Sequence, residues 1–168
     1  MRNFLHESML FETDNTYVSA AVADDIDSIV EIYNSNPGFL EAHLDREQVE
    51  AKWVEDEINT MKELDFISCK VVLKTSKTPI GILDFSVKEE SYLSLLMLHS
   101  NYSHLGLGSE VYKGFEDFAK IHNERIRIDV VTSYDKGVLD FWASKGFNII
   151  DEVLNKGGMI VEGNYRSI

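Results

Sequence analysis

The apolar pattern changes from helical to extended near residue 66 and stays extended through three segments, and that change restricts the fold more than any other feature. Phe66 to Leu73, Ile80 to Val87 and Tyr92 to His99 read as three consecutive extended segments. Only a Thr-Ser-Lys-Thr-Pro connection and the polar stretch Lys88 to Ser91 join them. Connections this short cannot hold a crossover, so the three strands form an antiparallel meander. Upstream the period is helical. Asp24 opens a helix whose apolar positions Ile26, Ile29, Val30 and Tyr33 form one stripe, with Asp25 and Asp27 near the positive end of its dipole. Asn34 to Gly38 stops it. A second helix begins near Asp45, with Gln48 as a capping-box partner and Ala51, Val54, Ile58 and Met61 along one face. Tyr17 to Val22 reads as a first strand, and the residues before it as an irregular or helical lead-in.

Downstream of the meander, Gly106-Leu107-Gly108-Ser109 leads into an amphipathic helix with Val111, Phe115, Phe118, Ala119 and His122 on one side. Ile126 to Val131 is another strand. Lys136 to Lys145 forms a short helix ended by Gly146, and two last strands flank a turn at Asn155 to Gly158. The order β-α-α-β-β-β-α-β-α-β-β describes an α+β chain with one mixed sheet. At 168 residues without an internal linker, it is expected to form a single domain over 1–168, with its core at about 17–162.

Charge removes several function classes. Acidic residues outnumber basic ones by 29 to 16, a formal net charge of −13. A nucleic-acid surface needs a basic footprint, so no nucleic-acid partner is expected, whereas cationic partners such as amines suit the acidity. Cys69, the single cysteine, cannot form an internal disulfide and sits in an apolar run as an inert buried thiol. No apolar stretch approaches the ~20 residues of a membrane span, and the first residues lack a secretory pattern. A cytoplasmic protein without a membrane partner is the expectation. Asp84 interrupts an apolar strand, either as a buried acid or, the favoured alternative, facing an open edge.

The segment with chemical content is the strand–loop–helix from Leu93 to Lys120. Glycines permit unusual backbone angles and close approach by a ligand. Unpaired N–H groups at a helix start, reinforced by the dipole, form an anion site. A phosphate cradle and a tight turn that needs glycine for geometry alone both fit the residues. No Gly-Lys-Ser/Thr follows, which excludes a Walker loop, and Val111 occupies the third glycine position of a dinucleotide fingerprint.

LSLLMLHSNYSHLGLGSEVY resembles motif A of the GNAT-type N-acetyltransferase superfamily: an apolar strand, a polar stretch with a Tyr (here Tyr102), then R/Q-x-x-G-x-G/A opening a helix. FWASKGF, Phe141 to Phe147, resembles the family's motif B, commonly F-Y-x-K-x-G-F. With the order of elements, the likeness covers nearly the whole chain. It implies a mostly antiparallel central sheet flanked by helices on both faces. There are departures. Ser103 stands at the Arg/Gln position, Ser100 at a frequent Pro, Asp135 at an Asn that contacts the pantetheine arm, and Trp142 at a Tyr proposed as general acid.

The resemblance implies acetyl transfer from acetyl-CoA, as co-substrate and without a metal, to a cationic primary amine of a small molecule or peptide. The amine attacks directly, through a tetrahedral intermediate. The implied CoA-binding residues are Leu98, His99, Ser100, Ser103, His104, Leu105, Gly106, Leu107, Gly108, Ser109, Asp135 and Trp142. The Leu98 N–H is the implied oxyanion donor. Tyr92 and Ser94 occupy positions where relatives place a residue facing the amine and are candidates for ordering a proton-relaying water, while Tyr134 is a candidate for the missing phenol. Phe39 to Leu44 falls where the family forms part of the acceptor wall. A homodimer is a further expectation, since dimers are common in the family. The alternative is a CoA-binding domain of the same fold that senses or docks without turnover.

Overall fold

The computed structural model describes residues 9–131, 136–154 and 160–167. Its strands are β1 (Met9–Glu12), β2 (Thr16–Ala20), β3 (Ile67–Leu73), β4 (Pro79–Ser86), β5 (Ser91–Leu98), β6 (Arg125–Val131), β7 (Asn148–Leu154) and β8 (Ile160–Ser167). Its helices are α1 (Ile26–Asn34), α2 (Pro37–Leu44), α3 (Ala51–Glu63), α4 (Leu107–Ala119) and α5 (Lys136–Ser144). The strands share one sheet in the order β1-β2-β3-β4-β5-β6-β8-β7. The meander β3-β4-β5 is antiparallel as its short turns require, and β5 pairs with β6 in parallel through the α4 crossover.

Helices cover both faces. On one, Val111, Tyr112, Phe115 and Ala119 of α4 pack on Val18, Val71, Leu83, Phe85, Leu93 and Ile126 of the sheet. On the other, Ile29, Ile32 and Tyr33 of α1, Leu40 of α2 and Val54 of α3 pack on Ile82 and Met97. Burying a Leu, Ile, Val or Phe side chain contributes ~1.5–3 kcal/mol, so these two aliphatic and aromatic layers hold the sheet between them.

Five local expectations need correction. The lead-in contains strand β1, paired with β2, and Glu110 of α4 binds the connecting turn by accepting from Asn15 N–H at 2.8 Å and from Thr13 Oγ1. Asn34 to Gly38 ends α1 but also starts α2, because Pro37 sits at the first helical turn, where its missing N–H costs nothing. The next helix begins at Ala51, not near Asp45. Asp45 is left-handed (φ 49°), and the buried Val49 is held by reciprocal bonds to the Asn34 amide at 2.8 and 3.1 Å. His122 lies beyond the end of α4 and is exposed. Finally, Asp84 is a buried acid, only 6 % exposed, because the face it points to is roofed by α1 and α3. Cys69 is buried, and burial pushes its thiol up, consistent with an inert group.

Candidate active site

The site begins with an irregularity in β5. Leu93 pairs with Phe85 and Leu95 with Asp84, so Ser94 is an extra residue without a partner on β4. Such a bulge bends a strand and sharpens its twist. Past this point β5 stays on β4 as far as Leu98 but leaves β6, whose parallel pairing ends at Leu93–Ile128. The opening is a cavity of ≈ 690 Å³. Residues 93–98 form its floor, α2 gives Phe39 and His43, β6 gives Asp129, α5 gives Phe141 and Trp142, and the loop before α4 closes one end.

Register then decides which backbone groups face the gap. His99 N–H donates to the Ile80 carbonyl at 2.7 Å, which makes His99–Ile80 a hydrogen-bonded pair of the antiparallel ladder. Bonded and non-bonded pairs alternate. The pairs Leu98–Gly81 and Leu96–Leu83 are therefore non-bonded, and the N–H and C=O groups of Leu96 and Leu98 point to the side that β6 has left. The Leu98 carbonyl is taken by Asn36 Nδ2 at 3.0 Å, which also donates to the Ile32 carbonyl at 2.9 Å. Beside it, Ser35 Oγ accepts from Ser100 N–H at 3.0 Å. The end of α1 thus clamps the end of β5. Among the described residues the Leu98 N–H has no protein acceptor.

The loop into α4 is held open by its conformation. Ser103 Oγ donates to the Ser100 carbonyl at 2.7 Å, and His104 (φ 62°) and Gly106 (φ 79°) are left-handed. Only glycine takes such angles without cost. No N–H from His104 to Ser109 donates to a protein acceptor among the described residues, and the first helical bond is Glu110 N–H to Gly106 C=O at 3.1 Å. This run of unpaired amides ends at the positive pole of a 13-residue helix, a cradle for an anion. Gly108 borders the cavity. A Cβ added there would meet only Leu98 Cδ1, at 3.9 Å, so the protein leaves that space open and a close-lying ligand would fill it.

The ionisable groups at the cavity are few. Asp129 Oδ2 accepts from Tyr92 OH at 2.7 Å and from Arg127 Nη2 at 2.9 Å, and Oδ1 accepts from Arg127 Nε at 3.1 Å. Arg127 also reaches Glu90 at 3.3 Å and lies 4.7 Å from the Tyr92 ring centre. Burial, then donation to Asp129, pushes the Tyr92 phenol well above its ordinary range, while the bond to Asp129 raises Arg127 further. This constellation keeps a carboxylate at the mouth of the split, fixed by a phenol and a guanidinium. Across from it, His43 Nδ1 lies 3.1 Å from the Phe39 carbonyl and its ring stacks on Phe39 at 4.1 Å. Desolvation lowers its pKa, against a smaller upward push from the Phe39 carbonyl, which favours the neutral imidazole.

Of the residues singled out from sequence, Ser94, Leu98, Ser103, His104, Gly106, Gly108, Ser109 and Trp142 line the cavity. Tyr92 stands behind Asp129, with its hydroxyl donated to it. His99 caps the short turn over 100–102, accepting from Asn101 N–H at 3.1 Å, and Ser100 is bonded to Ser35, while Leu105 is exposed and Leu107 packs on the core. Tyr134 and Asp135 lie outside the described residues. Sequence reasoning missed Asn36, Leu96 and Asp129. A single acid in the apolar alternation Ile126 to Val131 is the one signal that pointed to Asp129.

No family model matches the chain, and no curated protein does. Solved structures do. An acetyltransferase from Thermus thermophilus superposes with a TM-score of 0.73 at 19 % identity, covering 92 % of this chain and 97 % of that one. RimL, a ribosomal L7/L12 alpha-N-protein acetyltransferase in complex with coenzyme A, superposes at 0.75 and 12 % identity, covering 95 % and 98 %. Spermidine N-acetyltransferase from Vibrio cholerae, in complex with CoA and spermine, gives 0.71 and 12 % identity over 91 % and 95 %. With its mixed sheet, its two helical layers and its split between β5 and β6, the chain has the fold of the GNAT-type N-acetyltransferases.

Proposed function

We propose that the protein is an acetyl-CoA-dependent N-acetyltransferase with a cationic primary amine as acceptor. One observation carries the reading: six consecutive backbone amides, from His104 to Ser109, have no acceptor among the described residues and stand at the edge of a cavity that opens beside the Leu98 N–H. The residues fit CoA, with the amides at the diphosphate, the backbone of Leu96 and Leu98 along the pantetheine arm, and space over Gly108 that a Cβ would fill. Neighbours of the same fold hold CoA.

When bound, acetyl-CoA supplies an activated thioester. The amine nitrogen forms the new bond to the acetyl carbon, the carbon–sulfur bond breaks, and the amine proton leaves. A lysine-like amine of pKa ~10.4 costs about 4.6 kcal/mol to neutralise at pH 7. Asp129 is placed to hold the incoming ammonium, and the neutral His43 to receive a proton through water. Tyr92 acts behind Asp129 as a positioning residue, and Ser94 orders water at the bulge. The Leu98 N–H stabilises the developing oxyanion, with Asn36 holding the carbonyl of the same residue in place. Trp142 cannot donate a proton at useful pH. A thiol of pKa ~8.5 needs only about 2 kcal/mol of help to leave, and Tyr134 is the proposed donor of it.

Residues 1–168 form one domain in this reading, supported by the single sheet that the eight strands among the described residues share. A cytoplasmic location follows the sequence expectation drawn from the apolar pattern and the single cysteine, a homodimeric state follows the resemblance, and light scattering tests the dimer. The activity is tested by incubating acetyl-CoA with polyamines, lysine peptides and peptides with free N-termini and following thiol release. Turnover with at least one amine is expected. Absence of CoA binding by calorimetry overturns the reading, and saturable binding without any turnover leaves a CoA-binding module.

A further inference from the structure

The loop before α4 lacks the long side chain, Arg or Gln, that the resemblance places at Ser103. A cation reaches the same place from another element. Lys145, the residue after the last turn of α5, donates from Nζ to Ser109 Oγ at 2.8 Å, and its ammonium lies 5.2 Å from the centre of the Phe141 ring. Its backbone N–H is bonded to the Phe141 and Trp142 carbonyls at 3.2 and 3.1 Å, so the root of the side chain is fixed. Ser109 belongs to the unpaired run of amides and lines the cavity. By accepting from Lys145, its hydroxyl keeps its own proton for an acceptor in the cavity, and the ammonium retains two further N–H donors.

Six of the ten lysines in the described residues have a carboxylate partner there, and Lys145 is among the four that do not. Lys52, Lys70, Lys74, Lys88, Lys113 and Lys120 each lie within 3.5 Å of a carboxylate. Among the described residues no carboxylate reaches Lys145. A cation at the end of α5 is favourable for that helix's dipole, which accounts for its position in sequence but not for its reach across to α4. We propose that Lys145, together with the Ser109 hydroxyl, binds a phosphate of the CoA co-substrate, supplying from α5 the positive charge that Ser103 does not. The proposal rests on the CoA reading above and adds a residue that motif A does not contain.

Calorimetry with CoA, and with pantetheine, which lacks the diphosphate, is to be run on the wild type, Lys145→Met and Lys145→Arg at low and high salt. Lys145→Met is expected to weaken CoA about tenfold at low salt, with the gap narrowing at high salt as screening grows. Pantetheine affinity stays unchanged, and Lys145→Arg stays within about threefold of wild type for CoA. Thermal unfolding checks each variant, and Lys145→Gln replaces the methionine variant should that one fail to fold. If the wild type binds no CoA, the cofactor reading itself falls. If it binds and Lys145→Met binds equally well, or loses CoA and pantetheine alike, the role of Lys145 alone is overturned.

Discussion

Replacing Gly108 with Val tests whether the loop amides grip a ligand. The substitution leaves the protein itself almost untouched: the new Cβ meets only Leu98 Cδ1, at 3.9 Å, an ordinary contact. Gly108 lies in the first turn of α4 and does not have the positive φ of Gly106, so no backbone strain arises. Removing glycine from a helix stabilises it by up to ~1 kcal/mol. The added methyls instead project over the amides. A hydrogen bond from a backbone N–H to a charged oxygen contributes ~1.5–3 kcal/mol, and a diphosphate pushed off one or two of them loses affinity by a factor of about 10 to 10⁴. Gly108→Ala, with a single carbon, should lose near the lower end. Circular dichroism and thermal unfolding report the fold, and CoA titration by calorimetry reports affinity. A folded Gly108→Val protein whose CoA affinity stays within about threefold of wild type would refute the cradle.

Three further substitutions address other parts of the structure. Burial, reinforced by Glu57 of α3 and opposed by a hydrogen bond from Ser68 of β3, pushes Asp84 up to about 7 from an ordinary 3.8, with Tyr33 of α1 and Cys69 of β3 completing its surroundings. The folded state therefore keeps this proton longer than the unfolded one. Stability is full below about pH 4, falls as pH rises towards 7 by up to about 4 kcal/mol, and is level above. Asp84→Asn should flatten that slope and be the more stable form at pH 8 in urea unfolding; identical slopes contradict the burial argument. Asn36→Ala frees the Leu98 carbonyl, should cost about 1–2 kcal/mol of stability, and should slow turnover about tenfold at unchanged CoA affinity; a proportional loss of CoA binding would count against an orienting role. Asp129→Asn should lower kcat/KM for a cationic amine about 100-fold with CoA affinity preserved, and equal activity would remove Asp129 from the acceptor site.

Local pattern determined the frame. Alternating apolar residues and two short connections make β3, β4 and β5 an antiparallel meander, because a chain that reverses within a few residues has no other neighbour to pair with. The glycine at 106 and the amphipathic helix behind it made a glycine turn opening a helix readable, since a left-handed residue followed by a helix start is a property of adjacent residues. What the loop faces was decided elsewhere. One unpaired residue, Ser94, separates β5 from β6 and so creates the cavity; a bulge is a fact of register between two strands, and no property of a serine announces it. The same holds for Asn36 on the Leu98 carbonyl, 62 residues apart, and for Lys145 on Ser109, 36 apart. Asp84, read as an edge residue, is buried because α1 and α3 close over its face of the sheet, and strand alternation cannot say which face a helix will cover. Sequence thus set most of the elements and their order, through interactions that decay within a few residues, while β1 and α2, which depend on a partner strand and on a proline at a helix start, escaped it. The chemistry of the cavity was left to packing, which brings together groups that the chain keeps far apart.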